Sequence, residues 1–497
     1  MGSSGYLHIP IKRTVGTSFK RNASEDAMAK RDSVSLTIKN ERVFYSALLS
    51  VGSNNQELNL IVDTGSSDAW IPSSDVQCIM RTYSVSSNSL TRAVSHLKVG
   101  NDNALPSDSE DQNGDSNASS DSVDANIRAS LSLSNPCTSY GSFDHTQSTS
   151  FNFNLSAPMF YLAYLDGTTV RGFWGTDTVK FGSSSVSDFS FAVANLTSSD
   201  MGVLGIGLAD LESTSISARP YTYENFPIRL KATGQIQTNA YSLYLNDVTA
   251  KEGVLLFGAV DHAKYIGTLQ SVPVVRLADS YMSKPRRLLI VMHGILFAAD
   301  DEESIRIDKP VVALLDSGST FSYLPLDIIL ALANNLKATW NKDMSLFNVE
   351  CDLRNSRYSV TFSFSGIQIK VPFSNFVVMS RRNCYLTLTG NPSTSQEAIL
   401  GDNFLRNVYV TYDLDNYEVA MAPVKYTTQQ DIEVISSTIP QARRAAGYSS
   451  TSVATSMDPS AVSTTRNGLR KNAAESQYRM APLFWAILWL VVSLLVL

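Results

Sequence analysis

The sequence predicts an all-β protein built of two similar lobes, and two observations carry that prediction. From about Ser33 to Pro423, short runs rich in Val, Ile, Phe, Tyr and Thr are broken by Gly, Asn and Asp, as strands are by turns. One motif also occurs twice, as LIVDTGSSDAWIP at 60–72 and as VALLDSGSTFSYLP at 312–325. A duplicated motif in a strand-rich chain predicts two related lobes with a cleft between them.

Each motif has an echo further along the chain, namely VLG at 203–205 and ILG at 399–401. The first motif lies further from its echo than the second does, by nearly the length of the segment between Cys78 and Cys137. We therefore expect the first lobe to carry an insertion at 79–136. Within it, residues 101–125 hold seven acidic residues and no Lys or Arg, a composition that predicts a disordered loop.

The remaining boundaries follow from composition. We expect a pro-segment at 1–31, a first lobe at 32–262, a second lobe at 263–425, a Ser/Thr-rich stalk at 426–471 and a C-terminal signal at 472–497. The pairs Lys12-Arg13, Lys20-Arg21 and Lys30-Arg31 favour a processed pro-segment, although a disordered basic tail stays open for the first two pairs. Helices should be few, and LDIILALANNLKA at 326–338 is the clearest.

The chain's ends bear on its location. Met480 to Leu497 is an uncharged apolar run, short for a membrane-spanning helix, and Asn472 with two alanines precedes it. That arrangement favours a GPI-attachment signal with Asn472 as the candidate site, and a spanning helix remains the alternative. The first residues contain no apolar signal-peptide core, so we expect residues to be missing before Met1.

Composition and cysteine content limit the partners and cofactors that we expect. The net charge of −6 argues against a nucleic-acid partner. The four cysteines fall as one pair in each half, Cys78 with Cys137 and Cys351 with Cys384, and none has a CxxC spacing. Two disulfides in an oxidising compartment therefore fit better than a metal site, and we expect no metal or cofactor. Glycosylation sequons agree with secretion and lie at Asn22, Asn117, Asn154 and Asn195.

The duplicated motif also indicates a chemistry. Each copy places an aspartate, Asp63 or Asp316, directly after an aliphatic run, where an isolated charge is costly to bury. Two carboxylates brought face to face cannot both ionise, so they share a proton. One can then accept a proton from water while the other donates one to a carbonyl oxygen, which is acid–base hydrolysis without a metal.

These motifs resemble those of the pepsin-like aspartic proteases, and within them the GPI-anchored fungal yapsins. The resemblance covers about residues 40–423 and also rests on AILGDNFLRNVYVTYDLDNYEVAMAP at 398–423. It implies the bilobal pepsin-like fold, with the active-site cleft between two similar β lobes. It also implies the roles of the motif residues: the catalytic pair Asp63 and Asp316, the paired hydroxyls Thr64 and Ser317, the outer hydrogen-bond partners Ser66 and Ser319, and the turn glycines Gly65 and Gly318.

The resemblance further identifies residues 160–182 as a flap hairpin. It implies that Tyr164 is the flap tyrosine, that Trp70 is its hydrogen-bond partner, and that Asp166 binds a basic P1 side chain. An ordinary turn role for Asp166 stays open, because Asp166-Gly167 is a favoured hairpin dipeptide. Leu165, where a glycine is usual, is a departure from the family pattern.

The predicted function is that of a monomeric aspartic endopeptidase that cleaves polypeptides after Lys or Arg. It would act at the cell surface or in the cell wall, held to the membrane by a lipid anchor. The alternative is a catalytically idle wall protein of the same fold that binds peptides or supports adhesion.

Overall fold

The structure is a computed structural model, and it describes residues 5–15, 43–79, 135–182, 184–216, 220–277, 283–299, 305–342, 344–380, 382–391, 396–449, 453–454 and 464–466. Several predicted features lie outside these residues: the dibasic pairs at 20–21 and 30–31, the acidic loop at 101–125, the apolar tail at 480–497, Asn22, Asn117 and Asn472. Within the described part of the chain, no helix combines the length and apolar character needed to cross a membrane.

Strands dominate the first half of the chain. They are β1 (Leu7–Val15), β2 (Val43–Val51), β3 (Gln56–Asp63), β4 (Ala69–Cys78), β5 (Asn152–Phe153), β6 (Phe160–Ala163), β7 (Thr169–Phe181), β8 (Ser184–Thr197), β9 (Gly202–Gly205), β10 (Ala240–Tyr244), β11 (Glu252–Phe257) and β12 (Ala259–Asp261). The helix α1 (Phe226–Ala232) begins after Asn225, whose side chain caps it by accepting from the Ile228 N–H.

The second half is also mostly strands. They are β13 (Gln270–Pro273), β14 (Arg276–Leu277), β15 (Leu289–Met292), β16 (Gly294–Ala298), β17 (Ile305–Ile307), β18 (Val311–Leu315), β19 (Ser322–Leu324), β20 (Thr339–Asn341), β21 (Leu346–Val349), β22 (Ser359–Phe364), β23 (Ile367–Pro372), β24 (Val377–Ser380), β25 (Asn383–Leu386), β26 (Leu388–Gly390), β27 (Ala398–Leu400), β28 (Val408–Asp413) and β29 (Glu418–Pro423). Two helices accompany them, α2 (Leu326–Asn335), which lies within the predicted helix, and α3 (Asp402–Leu405).

One large sheet joins the two halves. It contains most first-half strands, and β10 pairs with β28 so that β28, β29 and β13 continue it. Of the other second-half strands, all but β14 form three smaller sheets, in the orders β15-β18-β27-β19-β26, β23-β22-β16-β17 and β20-β21-β25-β24. The prediction of an all-β chain is therefore confirmed.

The predicted internal repeat appears as two equivalent strand pairs. Strand β3 runs parallel to β9 with Asp63 opposite Gly205, and β18 runs parallel to β27 with Leu315 opposite Leu400. Strands β9, β18 and β27 are apolar and wholly buried, which is the pattern expected of parallel strands covered on both faces. In β3 the buried residues are Leu58, Leu60, Val62 and Asp63. Each half therefore delivers its aspartate at the end of a buried strand.

The N-terminal segment is part of the large sheet. Strand β1 lies between β11 and β2, and its alternating residues Leu7, Ile9 and Ile11 are buried. Lys12-Arg13 falls inside this strand. The alternative of a disordered basic tail is therefore wrong for that pair, because the apolar alternation of the segment drives it into the sheet.

The predicted stalk at 426–471 is wrong over residues 426–449, and with it the second-lobe boundary at 425. Strand β30 (Ile432–Val434) pairs with β12, and β31 (Arg443–Arg444) pairs with β13. Ile435 is fully buried and Ile439 is 6% exposed. These spaced isoleucines pack onto the body despite the polar composition around them. Two further short strands follow, β32 (Val453–Ala454) beside β14 and β33 (Thr464–Arg466) beside β17.

Candidate active site

Asp63 and Asp316 occupy equivalent positions in two equivalent turns. Asp63 is the last residue of β3, and Asp316 directly follows β18. The Gly65 N–H donates to Asp63 Oδ1 at 2.8 Å, and the Gly318 N–H donates to Asp316 Oδ1 at 2.9 Å. Each carboxylate is thus fixed by the backbone two residues beyond it.

A serine hydroxyl holds the second oxygen of each carboxylate. Ser66 donates to Asp63 Oδ2 at 2.5 Å, and Ser319 donates to Asp316 Oδ2 at 2.7 Å. The two carboxylates therefore have the same hydrogen-bond environment, one backbone donor and one hydroxyl donor each.

The hydroxyls of Thr64 and Ser317 join the two turns. Thr64 Oγ donates to the Leu315 carbonyl at 2.8 Å, and Ser317 Oγ donates to the Val62 carbonyl at 2.7 Å. Both side chains are buried, at 1% and 0% exposure. Because each hydroxyl bonds to the strand that carries the opposite aspartate, the bonds set the position of one aspartate relative to the other.

The glycines of the two motifs let the carboxylates approach each other. A Cβ atom on Gly65 would lie 2.6 Å from Asp316 Oδ1, and one on Gly318 would lie 2.5 Å from Asp63 Oδ1. Each carboxylate therefore sits against the opposite turn, at a spacing that no larger residue would leave open.

The electrostatics of the pair follow from this geometry. Asp63 is only 7% exposed. Burial, and then the negative charge of Asp316, raise the pKa of Asp63 to about 7. The pair therefore keeps a proton at pH values at which an ordinary aspartate has lost it.

The hairpin that the resemblance identifies as a flap is formed by β6 and β7, and its turn contains Tyr164 and Gly167. The Gly167 N–H donates to the Tyr164 carbonyl at 2.8 Å, and the φ of +80° at Gly167 is a conformation that favours glycine. The Trp70 Nε1–H donates to the Tyr164 hydroxyl at 2.8 Å. The structure thus contains the hydrogen bond between Trp70 and Tyr164 that the family resemblance implied.

Asp166 is an exposed residue of this turn. Its Oδ1 accepts from the Thr168 N–H at 2.8 Å, and its Oδ2 accepts from the Thr168 hydroxyl at 2.9 Å. These bonds stabilise the turn and leave the carboxylate at the surface. The structure therefore shows a turn role for Asp166.

The cysteines pair within each half. Cys78 at the end of β4 is bonded to Cys137, and Cys351 is bonded to Cys384 in β25, with Cα–Cα distances of 5.6 and 5.2 Å. Of the described sequon residues, Asn195 is exposed on β8, whereas the Asn154 amide donates to the Tyr221 hydroxyl at 2.5 Å.

Sequence reasoning missed a polar group behind the flap. Asp68, five residues after Asp63, is 2% exposed and accepts from the Tyr223 hydroxyl at 2.6 Å. Glu212 lies close to it and is 1% exposed. The SSDAW stretch could have drawn attention to Asp68, but no local pattern marks Glu212, whose burial results from tertiary packing.

The family model described as "Eukaryotic aspartyl protease" matches residues 44–424 of the chain. Aspartic proteinase yapsin-3 of Saccharomyces cerevisiae is 36% identical over 457 residues, which cover 90% of this chain and 78% of that protein. Secreted aspartic protease 9 of Candida albicans is 35% identical over 454 residues, which cover 83% of each chain. The crystal structure of the aspartic proteinase from Irpex lacteus matches with a TM-score of 0.55 and 17% identity, and covers 85% of this chain and 98% of that one. This last match supports the pepsin-like fold.

Proposed function

Because this chain belongs to the eukaryotic aspartyl protease family and is an aspartic-type endopeptidase, we propose that Asp63 and Asp316 are its catalytic pair. The observation that carries the proposal is the position of each carboxylate against the glycine of the opposite turn. The hydroxyl bonds between the turns hold this arrangement.

The pair would act on a water molecule held between the two carboxylates. The ionised carboxylate accepts a proton from the water as the water oxygen bonds to the peptide carbonyl carbon, and the protonated carboxyl donates its proton to the carbonyl oxygen. Proton return to the amide nitrogen then lets the C–N bond break. A pair that shares one proton is the established behaviour of aspartic proteases, and the raised pKa of Asp63 is in keeping with it.

The flap would cover the bound peptide. Tyr164 is held by Trp70, and Trp70 lies in a cluster of buried aromatic residues with Trp174 and Phe160. A flap tyrosine anchored to a rigid cluster can close over the substrate with its ring in a fixed position, and such ordering lowers the entropic cost of the reactive geometry.

The substrates are polypeptides, and we propose that those with Lys or Arg at P1 are preferred. The support is the family resemblance to yapsins and the exposed carboxylate of Asp166 at the flap turn. A desolvated ammonium or guanidinium requires a charged partner, which Asp166 would supply.

We further propose that the enzyme acts at the cell surface as a monomer with a GPI anchor attached at or near Asn472. Removal of residues 1–31 would take β1 out of the large sheet, so we do not propose that this segment is cleaved off. The similarity to secreted aspartic protease 9 of Candida albicans supports export, and the C-terminal sequence supports the anchor. Phosphatidylinositol-specific phospholipase C should then release a protein whose mass excludes residues 480–497. Mass-spectrometric recovery of those residues in the mature chain would instead support a spanning helix.

Inhibition by a statine-type peptide tests the active-site proposal. Its hydroxyl imitates the tetrahedral intermediate and should displace the water between the two aspartates, so stoichiometric inhibition is expected. A protein that binds the inhibitor but cleaves no peptide would be the idle wall protein.

A further inference from the structure

A second pair of buried carboxylates, separate from Asp63 and Asp316, lies behind the flap. Asp68 is 2% exposed and Glu212 is 1% exposed. Neither takes part in an ion pair among the described residues. Glu212 belongs to a stretch that we call the flap-backing segment, residues 208–216 and 220–223.

The flap-backing segment contacts the catalytic turn of the first lobe. The Ser67 hydroxyl donates to the Leu208 carbonyl at 2.6 Å, and the Gly207 N–H just before the segment donates to the Ser66 carbonyl at 2.8 Å. Ser66 is the residue whose hydroxyl holds Asp63. Movement of this segment would therefore shift Ser66 and, through its hydroxyl, the carboxylate of Asp63.

The same segment supports the flap. The Tyr223 ring packs against Trp174 at a centroid distance of 4.8 Å and an interplanar angle of 50°, in the aromatic cluster that contains Trp70 and Tyr164. Tyr221 accepts a hydrogen bond from Asn154, which lies just before the flap strands. The flap tyrosine and the first catalytic turn thus rest on one short, irregular stretch of chain.

The two carboxylates of this region differ in how fully the protein supplies them with hydrogen-bond donors. Asp68 accepts from the Tyr223 hydroxyl at 2.6 Å through one oxygen and from the Ser213 N–H at 2.9 Å through the other, so both of its oxygens have a donor. Glu212 accepts from the Tyr223 N–H, but its Oε1 has no partner among the described residues. An ionised Glu212 would leave a carboxylate oxygen buried without a hydrogen-bond donor, so the neutral acid is the form that fits.

The groups that face Glu212 do not favour its charge. Asp68 and Asp210 are acidic, and Tyr223 is a phenol. Arg286, from the second half, donates to the Asp210 carbonyl and the Ser215 hydroxyl rather than to either carboxylate. Across the cluster, the flap contributes Tyr164 and Asp166, which supply no positive charge.

We propose that Glu212 is a positioning residue that works only in its neutral form: its proton keeps the flap-backing segment against the flap and the first catalytic turn, and loss of that proton loosens both. The inference rests on the proposed function, in which Asp63 and Asp316 are the catalytic pair, but the pH dependence of unfolding and the NMR titration below test Glu212 separately from that assignment.

The direction of the pH effect follows from the pKa. Burial, and then the charge of Asp68, raise the pKa of Glu212 to about 9, against 4.5 for an ordinary glutamate. Because the folded-state pKa is raised, the stability due to the neutral acid is fully present below pH 4.5 and declines as the pH rises toward 9. Within that window one proton is linked to folding, which changes the unfolding equilibrium by up to about tenfold per pH unit.

The experiment compares Glu212→Gln with the unmodified side chain, both in an Asp316→Asn background to limit self-digestion. Urea unfolding is measured from pH 5 to pH 8.5. Glutamine imitates the neutral acid, so stability should decline less steeply over this range in the variant than in the parent. The slope that remains comes from other buried carboxyls with a raised pKa, such as Asp402. Glu224→Gln is the matched control, since Glu224 lies just after the same segment but pairs with Arg229 at the surface, and its slope should equal that of the parent.

Activity supplies the second readout. For each enzyme, kcat/KM at pH 8 is divided by kcat/KM at pH 5. This ratio should be at least about threefold higher for Glu212→Gln, made in the otherwise wild-type enzyme, than for the wild type. Equal pH slopes of unfolding, or superimposable relative pH–rate profiles, overturn the proposal.

A measurement without substitution covers the case in which Glu212→Gln does not fold. Carboxyl-¹³C-labelled glutamate makes Glu212 visible by NMR apart from the aspartates. One glutamate carboxyl should remain protonated at pH 7.5. Titration of every glutamate near its ordinary pKa would overturn the proposal.

Discussion

Thr64 and Ser317 exchange hydrogen bonds across the junction of the two lobes. The Ser317 N–H donates to Thr64 Oγ at 3.0 Å, and the Thr64 N–H donates to Ser317 Oγ at 3.2 Å. Each hydroxyl also donates to a carbonyl of the opposite strand. Two residues 253 positions apart in sequence therefore fix the relative position of the aspartates that precede them.

Thr64→Val should destabilise the protein and slow catalysis. The change keeps the side-chain shape but leaves the buried Ser317 N–H without its partner and removes one of the two hydroxyls that donate to the Leu315 carbonyl, the other being that of Tyr412. The unpaired N–H should cost about 1–3 kcal/mol in the free energy of unfolding. Thr64→Ser retains the hydroxyl and is the control. Urea unfolding and kcat/KM check both changes, and a Thr64→Val enzyme equal to wild type in both would contradict the role given to these bonds.

The activity should decline as the pH rises through about 7. Asp63 has a pKa of about 7, and the mechanism needs one proton on the pair, so the protonated fraction falls above that pH. A bell-shaped profile of kcat/KM, with its maximum on the acid side, is expected. Because Glu212 also acts on the alkaline side, the Glu212→Gln enzyme is the better subject for this measurement. Activity that increased steadily from pH 5 to pH 9 would be incompatible with a shared proton.

Substitution of Asp166 should separate its two possible roles. Asp166→Asn removes the charge but keeps an oxygen that can accept from the Thr168 N–H, whereas Asp166→Ala removes both. If the carboxylate binds a basic P1 side chain, both variants should lose about 1–3 kcal/mol of transition-state stabilisation on Lys or Arg substrates and little on Leu or Phe substrates. An asparagine variant with wild-type kinetics would leave Asp166 with a turn role alone.

Truncation should reveal that residues 426–449 belong to the folded body. A chain that ends at 449 keeps the buried Ile435, and its melting temperature should be close to that of the full-length protein. A chain that ends at 424 exposes the surface that Ile435 and Ile439 cover and should melt lower. Ile435→Ala should cost about 2–4 kcal/mol, as the loss of a buried isoleucine does. Equal melting temperatures for the two truncations would restore the stalk interpretation.

The two turns that carry Asp63 and Asp316 could be predicted from the sequence because their signals are local and repeated. An aspartate, a hydroxyl residue and a glycine after an aliphatic run define a turn at the end of a buried strand, and the second copy shows that the first is not accidental. The prediction of a stalk is wrong over residues 426–449 for a physical reason. Its overall composition is polar, and a few isoleucines at the right spacing are enough to attach it to strands distant in sequence.

Other parts of the site could be recognised only from the folded structure. Glu212 sits in a stretch without regular apolar alternation, and its neighbour Asp68 is distant in sequence. Only the packing of the aromatic cluster removes both from water. The same holds for Asp166, whose bonds to Thr168 depend on the conformation of the turn.

The most direct test of the central claim is the kcat/KM of Asp63→Asn and Asp316→Asn on a peptide that the wild type cleaves, with circular dichroism as the check on folding. Each change removes one of the two groups that move protons, so each folded variant should lose at least about 10²- to 10⁴-fold in kcat/KM. If either folded variant cleaves the peptide at the wild-type rate, that aspartate is not part of the catalytic pair.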